Sequence, residues 1–263
     1  MLPNYKEINT ELLVQIAANA AQAILEIYKT SFEVEHKEDN SPLTEADKHS
    51  HQVIETALLK HYAHLPVLSE ESKEIPYSTR QHWQRFWLVD PLDGTKEFIN
   101  HNGDFTVNIA LIENQKPVVG IVYIPVTSCC YVGISGVGAF KIDKGKEPLK
   151  LKKATPLIHQ SSILLKIVGS RSHLSNETID FVNELKASGK HVVFVSRGSS
   201  LKLCMVAEGE ADIYPRFAPT MEWDTAAAQV IVEAVGKQVV DFNTKQPLKY
   251  NKENLLNPWF LAQ

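Results

Sequence analysis

Cysteine is scarce in this chain of 263 residues, which contains only three. Cys129 and Cys130 are adjacent and Cys204 stands alone, so the sequence has neither a disulfide framework nor the paired spacing of a zinc site. We therefore expect free thiols in a reducing, intracellular compartment. Long apolar runs are also missing. No stretch approaches the roughly 18 apolar residues of a membrane span, and the first residues do not resemble a signal peptide.

An excess of charge of one sign is missing as well. The chain has 27 basic and 31 acidic residues, which gives a formal net charge of −4 with neutral histidine. This balance argues against a protein that binds nucleic-acid polymers or anionic membranes through bulk charge. It does not exclude a small anionic ligand. Apolar residues make up 44% of the chain, so the sequence predicts a sizeable core rather than disorder.

Hydrophobic periodicity divides the chain into two halves of different character. The first half, residues 1–150, begins with amphipathic helices predicted at 8–29 and about 44–62, followed by strands typical of antiparallel hairpins. The second half, residues 151–263, alternates strands with helices, which indicates an α/β arrangement with a partly parallel sheet. We place a soft boundary near residue 150 and expect the two halves to form one compact unit.

The most informative segment is 90–95, which reads Asp-Pro-Leu-Asp-Gly-Thr. An apolar run at 86–89 predicts a strand before it, and Pro91 is expected to end that strand because proline cannot donate to a sheet ladder. Gly94 permits a positive φ, so both aspartates can project from one tight turn, where the carbonyl of Leu92 adds another oxygen. Mg²⁺ prefers such oxygen ligands. An isolated Asp-Gly pair is more typical of an ordinary solvated turn.

Further acidic residues stand where predicted elements begin or end. Glu70 follows a short predicted strand at 66–68, and Asp47 lies early in the second helix. Asp224 opens a later helix. Each residue has a purely structural alternative, since Glu70 fits a surface loop, Asp224 fits an N-cap and Asp47 fits an ordinary acid in the first turn of a helix. Taken one at a time, these residues leave that alternative open.

Four motifs in a fixed order carry a resemblance to a known family. They occupy residues 43–47, 69–72, 90–95 and 223–227. Together they resemble the inositol monophosphatase superfamily of Mg²⁺-dependent, lithium-sensitive phosphatases. The resemblance implies an α+β or α/β protein with the layered αβαβα sugar-phosphatase fold of inositol monophosphatases and fructose-1,6-bisphosphatases.

Further segments are similar to the 3′(2′),5′-bisphosphate nucleotidase branch of that superfamily. They are residues 39–44, 66–71, 87–90, 96–98, 104–110, 170–173, 198–202 and 214–217. This narrower resemblance implies hydrolysis of adenosine 3′,5′-bisphosphate to AMP and phosphate, with 3′-phosphoadenylyl sulfate as a second substrate. An inositol monophosphatase or a fructose-1,6-bisphosphatase remains an alternative. From another class, a non-enzymatic nucleotide- or metal-binding module remains open too.

The resemblance also implies roles for individual residues. Two or three Mg²⁺ ions would be held by the carbonyl of Leu92 and by the side chains of Glu70, Asp90, Asp93 and Asp224. Asp47 and Thr95 resemble the family's water-activating pair. The first half would thus carry most metal ligands, and the second half the last ligand and most substrate contacts. The substrate-binding candidates are Gly94, Thr95, His173, Ser199, Lys202, Arg216 and Asp224.

Elementary chemistry agrees with several of these assignments. Four carboxylates in one site would repel one another unless cations compensate their charge. The amides of Gly94 and Thr95 open a short predicted helix, and the amides and hydroxyls of 198–200 open the helix that carries Lys202, so both helix starts suit phosphate oxygens. The expected partner is a small nucleotide bisphosphate rather than a nucleic-acid polymer. We expect a cytoplasmic enzyme and leave its oligomeric state and any attachment to the inner membrane's cytoplasmic face open.

Overall fold

The computed structural model describes residues 1–29, 34–36, 42–154, 164–170 and 175–263. Its helices are α1 (Thr10–Tyr28), α2 (Glu45–His61), α3 (Tyr77–Arg80), α4 (Thr95–Ile99), α5 (Asn176–Ala187), α6 (Leu201–Glu208) and α7 (Glu222–Ala234). The strands of the first half are β1 (Val34–His36), β2 (Pro42–Thr44), β3 (Val67–Ser69), β4 (Arg85–Asp93), β5 (Thr106–Glu113), β6 (Lys116–Ile124), β7 (Cys129–Ile134), β8 (Gly138–Ile142) and β9 (Leu149–Lys150). Those of the second half are β10 (Leu164–Ser170), β11 (His191–Arg197), β12 (Tyr214–Arg216), β13 (Val239–Asp241) and β14 (Phe260–Ala262).

The largest sheet contains seven strands in the order β3-β4-β5-β6-β7-β8-β9. β3 pairs with β4 in parallel, and each later pair is antiparallel. α1 buries Leu13, Ile16 and Ile24, which share one helical face, in a core with α2 and this sheet. The predicted pair of amphipathic helices and the hairpin-connected strands are confirmed.

Helix α7 covers the other face of this sheet at very close range. A Cβ atom on Gly120 would lie 2.0 Å from the Ala227 carbonyl oxygen. A Cβ atom on Gly133 would lie 2.6 Å from the Ile231 amide nitrogen. These two glycines therefore let the helix backbone approach the strands directly, which fixes the position of the helix start that carries Asp224.

Two smaller sheets complete the second half. β10 and β11 pair in parallel, as predicted, whereas β12, β14 and β13 form an antiparallel sheet with β14 in the middle. The predicted strand at 211–214 is misplaced, because β12 begins only at Tyr214. The layers run from α1 and α2 through the large sheet to α6 and α7, then to the small sheets and α5. The predicted αβαβα fold is confirmed.

The strand before the acidic motif does not end at Asp90. β4 continues to Asp93, and its register with β5 shifts within the motif, since Asp90 pairs with Asn108 and Asp93 with Thr106. β4 thus has one residue more than β5 between these pairs, which is a β-bulge. Pro91 is tolerated there because a bulge interrupts the ladder. The prediction that Pro91 terminates the strand is wrong.

Two findings bear on the expectations from composition. Cys129, Cys130 and Cys204 are all free thiols buried in the structure, as predicted. Within the described part of the chain, no helix has the length and apolar character needed to cross a membrane.

Candidate active site

The bulge in β4 brings two carboxylates to the same side of the sheet. Side chains alternate between the two faces of a regular strand, so residues three apart would point in opposite directions. The extra residue in the bulge resets this alternation. Asp90 and Asp93 consequently line one cavity of about 290 Å³, together with Leu92.

Ten of the predicted site residues line this cavity. They are Glu70, Asp90, Leu92, Asp93, Gly94, Thr95, Ser199, Lys202, Arg216 and Asp224. The fold delivers them from the ends of separate elements, namely β3, β4 and β12 and the starts of α4, α6 and α7. Residues from both predicted halves therefore meet in one place.

Of the predicted residues that the structure describes, Asp47 does not line the cavity. Asp47 is buried in the first turn of α2, and its charge contributes to the raised pKa of Asp90. Asp47 thus lies near the carboxylates without facing the cavity. His173 lies outside the described residues. Its predicted role as a substrate contact stays a prediction.

Burial and mutual repulsion dominate the electrostatics of the acidic side chains. Burial, followed by the charges of Glu70, Asp93 and Asp224, raises the pKa of Asp90 well above its ordinary value. Burial and the charges of Asp93 and Glu70 likewise raise the pKa of Asp224. Burial raises the pKa of Asp93 to about 6, although the charge of Lys202 opposes this shift. These carboxylates lack sufficient positive charge from the protein itself.

Three basic side chains line the same cavity, and of these Lys96 is exposed. Lys202 is buried, which lowers its pKa to about 8, and its Nζ donates to the Ser199 carbonyl oxygen at 2.5 Å. The ammonium lies 5.5 Å from the centre of the Tyr214 ring, and burial raises the pKa of that tyrosine to about 12. Arg216 is half-buried and donates to the Pro219 carbonyl oxygen at 2.9 Å. The cavity therefore combines a set of carboxylates with basic side chains.

The donor set fits hard divalent cations. All of the candidate side-chain ligands are carboxylates, and the Leu92 carbonyl adds a neutral oxygen. Among the described residues, no three acidic, histidine or cysteine side chains already enclose a single metal position. One carboxylate oxygen of Asp93 accepts a hydrogen bond from the Ser200 amide at 2.5 Å. One carboxylate oxygen of Asp224 accepts a hydrogen bond from the Met221 amide at 2.9 Å. The second oxygen of each carboxylate remains for a cation.

The contact between Asp224 and Met221 also decides a structural alternative. Asp224 occupies the third position of α7, where its carboxylate accepts the Met221 amide at the start of the helix. The N-cap residue is Met221, so the alternative that Asp224 is itself the N-cap is wrong, and Asp224 stabilises the helix start from the third position instead. Asp224 nevertheless lines the cavity as well, so helix capping and a place in the site are combined in one side chain.

The start of α6 differs from its expected role as a cradle of free amides. The Gly198 amide donates to Asp104 Oδ2 at 3.2 Å, and the Ser200 amide donates to Asp93 Oδ2. Carboxylates of the first half thus already satisfy two of the amides that were expected to bind phosphate. Ser199 lies between them with a positive φ of 46° and lines the cavity.

Several cavity residues are not among the site candidates named from the sequence. They are Lys96, Glu97, Ser170, Leu203, Tyr214, Thr220, Thr225 and Phe260. The segments that carry the family resemblance were a usable signal for five of them, namely Lys96, Glu97, Ser170, Tyr214 and Thr225. Phe260 lies in none of those segments. It reaches the cavity from β14, a strand that the sequence pattern did not predict.

This fold and this acidic cavity define a family. The inositol monophosphatase family matches residues 6–259, and the chain belongs to that family. Its members are metal-dependent phosphatases.

Individual relatives cover almost the whole chain. The chain is 45% identical over 253 residues to the 3′(2′),5′-bisphosphate nucleotidase CysQ of Salmonella typhimurium, covering 95% of this chain and 97% of the relative. It is 46% identical over 250 residues to the protein of that name from Escherichia coli K12, covering 94% and 96%. The crystal structure of CysQ from Bacteroides thetaiotaomicron superposes with a TM-score of 0.85 at 41% identity, covering 98% of each chain.

Proposed function

We propose that this protein is a Mg²⁺-dependent phosphatase that converts adenosine 3′,5′-bisphosphate to AMP and phosphate. One observation carries the proposal: the four carboxylates that are candidate metal ligands line the same cavity as the basic side chains of Lys202 and Arg216. The names of the Salmonella and Escherichia relatives support the choice of substrate, at identities of 45% and 46%. The enzyme is thus a 3′(2′),5′-bisphosphate nucleotidase, and the 3′-phosphate is the group that it removes.

The acidic residues hold the cations on which the reaction depends. Glu70, Asp90, Asp93 and Asp224 supply carboxylate oxygens, and Leu92 supplies its carbonyl. When bound, two or three Mg²⁺ ions would neutralise this charge, lower the pKa of the attacking water and stabilise the leaving 3′-oxygen. The raised pKa values of Asp90 and Asp224 support this role. Neighbouring carboxylates contribute to raising them, and bound cations would offset that repulsion and favour the ionised forms.

Asp47 and Thr95 orient and deprotonate the attacking water. The Thr95 hydroxyl holds the water, and the Asp47 carboxylate accepts a proton through that hydroxyl. Thr95 lines the cavity at the start of α4, next to Gly94 with its φ of 95°. The amides of this turn face the reacting phosphate, which suits a helix start that follows a left-handed glycine.

The second phosphate of the substrate binds to the basic side chains. Lys202 and Arg216 provide two positive charges, and Ser199 provides a hydroxyl. A doubly phosphorylated nucleotide matches this combination better than a sugar monophosphate does, because its second phosphate supplies an anion for Lys202 and Arg216. Inositol monophosphatase or fructose-1,6-bisphosphatase activity is the nearest alternative.

Wider properties follow from the family assignment. We propose that 3′-phosphoadenylyl sulfate is a second substrate, that the enzyme clears a by-product of sulfate activation and that Li⁺ inhibits it by occupying one Mg²⁺ position. We propose a cytoplasmic location. Both halves of the chain act as one unit in this proposal, because each supplies residues to the cavity.

Substitution of a single ligand tests the proposal. In Asp93→Asn, Mg²⁺-dependent phosphate release from adenosine 3′,5′-bisphosphate should fall at least about 100-fold, because a metal ion contributes several kcal/mol of transition-state stabilisation. Asp143→Asn is the matched control, since Asp143 is half-exposed and pairs with Lys146 at the surface. Equal rates for the two variants, or hydrolysis by the wild type in EDTA, would contradict the metal assignment.

A further inference from the structure

The Asp93 carboxylate is held by a network of buried polar side chains. Its members are Thr106 and Asn108, which point from β5, and Ser200, which precedes α6. All three residues are buried although their side chains are polar. Burying polar groups in this way costs free energy unless their hydrogen bonds are completed.

The hydrogen bonds of this network run in one direction. The Ser200 hydroxyl donates to Asn108 Oδ1 at 2.9 Å and lies 2.8 Å from the Thr106 hydroxyl. Since a serine hydroxyl has only one hydrogen, Thr106 must be the donor to Ser200. With its oxygen occupied in this way, Asn108 turns its Nδ2 toward Asp93 Oδ2, at 3.5 Å.

Ser200 therefore acts on Asp93 by two routes. Its backbone amide donates to Asp93 Oδ2 at 2.5 Å, and its hydroxyl orients the Asn108 amide that approaches the same oxygen. Both donors select one carboxylate oxygen. The plane of the carboxylate is thereby fixed, and the remaining oxygen keeps a single direction.

We propose that Ser200, with Asn108 and Thr106, positions Asp93 for metal binding. The inference rests on the proposed function, because it assumes that Asp93 is a metal ligand. Groups that orient ligands through hydrogen bonds commonly change metal affinity by about 10- to 100-fold when they are removed. Ser200 lies in the second half of the chain, whereas Asp93 lies in the first half. Metal affinity consequently depends on the β11–α6 connection being docked against β4.

Isosteric variants test the network with little change of volume. Thr106→Val removes only the hydroxyl, whereas Thr106→Ser retains it. Ser200→Ala removes the central hydroxyl and leaves the backbone amide in place. Mg²⁺ affinity is measured by isothermal titration calorimetry on each metal-free protein, and the Mg²⁺ concentration for half-maximal phosphate release provides a second measurement. Ser188→Ala is the control, since Ser188 is an exposed residue at the end of α5.

We expect Ser200→Ala to weaken Mg²⁺ binding about 10-fold. Thr106→Val should have a smaller effect in the same direction, and Thr106→Ser and Ser188→Ala should bind like the wild type. The maximal rate at saturating Mg²⁺ should change much less than the affinity does. If Ser200→Ala and Thr106→Val lower the melting temperature in EDTA but bind Mg²⁺ within twofold of the wild type, the network is merely structural and the inference is wrong. Failure of the wild type itself to bind Mg²⁺ would overturn the proposed function as well.

Discussion

The Ser50 hydroxyl donates to the Pro91 carbonyl oxygen at 2.7 Å, which ties helix α2 to the bulge in β4. Ser50 is completely buried and lies one turn after Asp47. The two residues thus share a helical face directed at the acidic motif. A single helix therefore supplies the candidate proton acceptor and anchors the bulge that carries two of the proposed metal ligands.

Removal of that anchor should destabilise the protein. Ser50→Ala leaves the buried Pro91 carbonyl without its partner, which should lower the free energy of unfolding by about 1–3 kcal/mol. Urea unfolding measured in EDTA checks the stability, and the Mg²⁺ dependence of the rate should shift to higher concentration. Ser188→Ala, at an exposed site, provides the comparison. Unfolding curves for Ser50→Ala that superpose on the wild-type curves would contradict the anchoring role.

The stability of the metal-free protein should depend on pH in a defined direction. Burial raises the pKa of Asp93 from 3.8 to about 6, so the folded state binds its proton more tightly than the unfolded chain does. The free energy of unfolding in EDTA should therefore fall as pH rises from about 4 through 6, by up to about 3 kcal/mol from this residue. Mg²⁺ should restore stability at neutral pH.

Asp93→Asn isolates the contribution of this one carboxylate. The asparagine oxygen can still accept the Ser200 amide, but the side chain cannot ionise. In EDTA at pH 7.5 the variant should be more stable than the wild type, and Mg²⁺ should stabilise it less. Urea unfolding at pH 5 and pH 7.5 measures both effects. Equal pH dependence in the variant and the wild type would show that the Asp93 charge carries no such cost.

Lys202 should matter for the second phosphate of the substrate and not for the first. Lys202→Met should raise KM for adenosine 3′,5′-bisphosphate about 10- to 100-fold, the value of a lost charge-assisted hydrogen bond, while KM for adenosine 3′-monophosphate changes little. Burial lowers the pKa of Lys202 to about 8, so the wild-type KM for the bisphosphate should also rise above about pH 8 as the ammonium loses its proton. Lys190→Met, at an exposed position, is the control. A parallel rise of KM for both substrates would contradict the assignment.

The sequence predicted those features that depend on local patterns. The helical spacing of Leu13, Ile16 and Ile24 indicated α1, and the acidic motif indicated the residues that line the cavity. The bulge in β4 escaped prediction because the rule that proline ends a strand is local, whereas the bulge depends on pairing with β5. The amide of Ser200 was expected to be free, because nothing local reveals a partner 107 residues away in sequence.

A comparison of substrates tests the proposed nucleotidase activity most directly. Initial rates of phosphate release with Mg²⁺ are compared for adenosine 3′,5′-bisphosphate, inositol 1-phosphate and fructose 1,6-bisphosphate, and the nucleotide product is identified by chromatography against standards of both adenosine monophosphates. We predict the highest kcat/KM for adenosine 3′,5′-bisphosphate, with the 5′-monophosphate as product. A higher kcat/KM for inositol 1-phosphate or fructose 1,6-bisphosphate, or release of the 5′-phosphate, would contradict it.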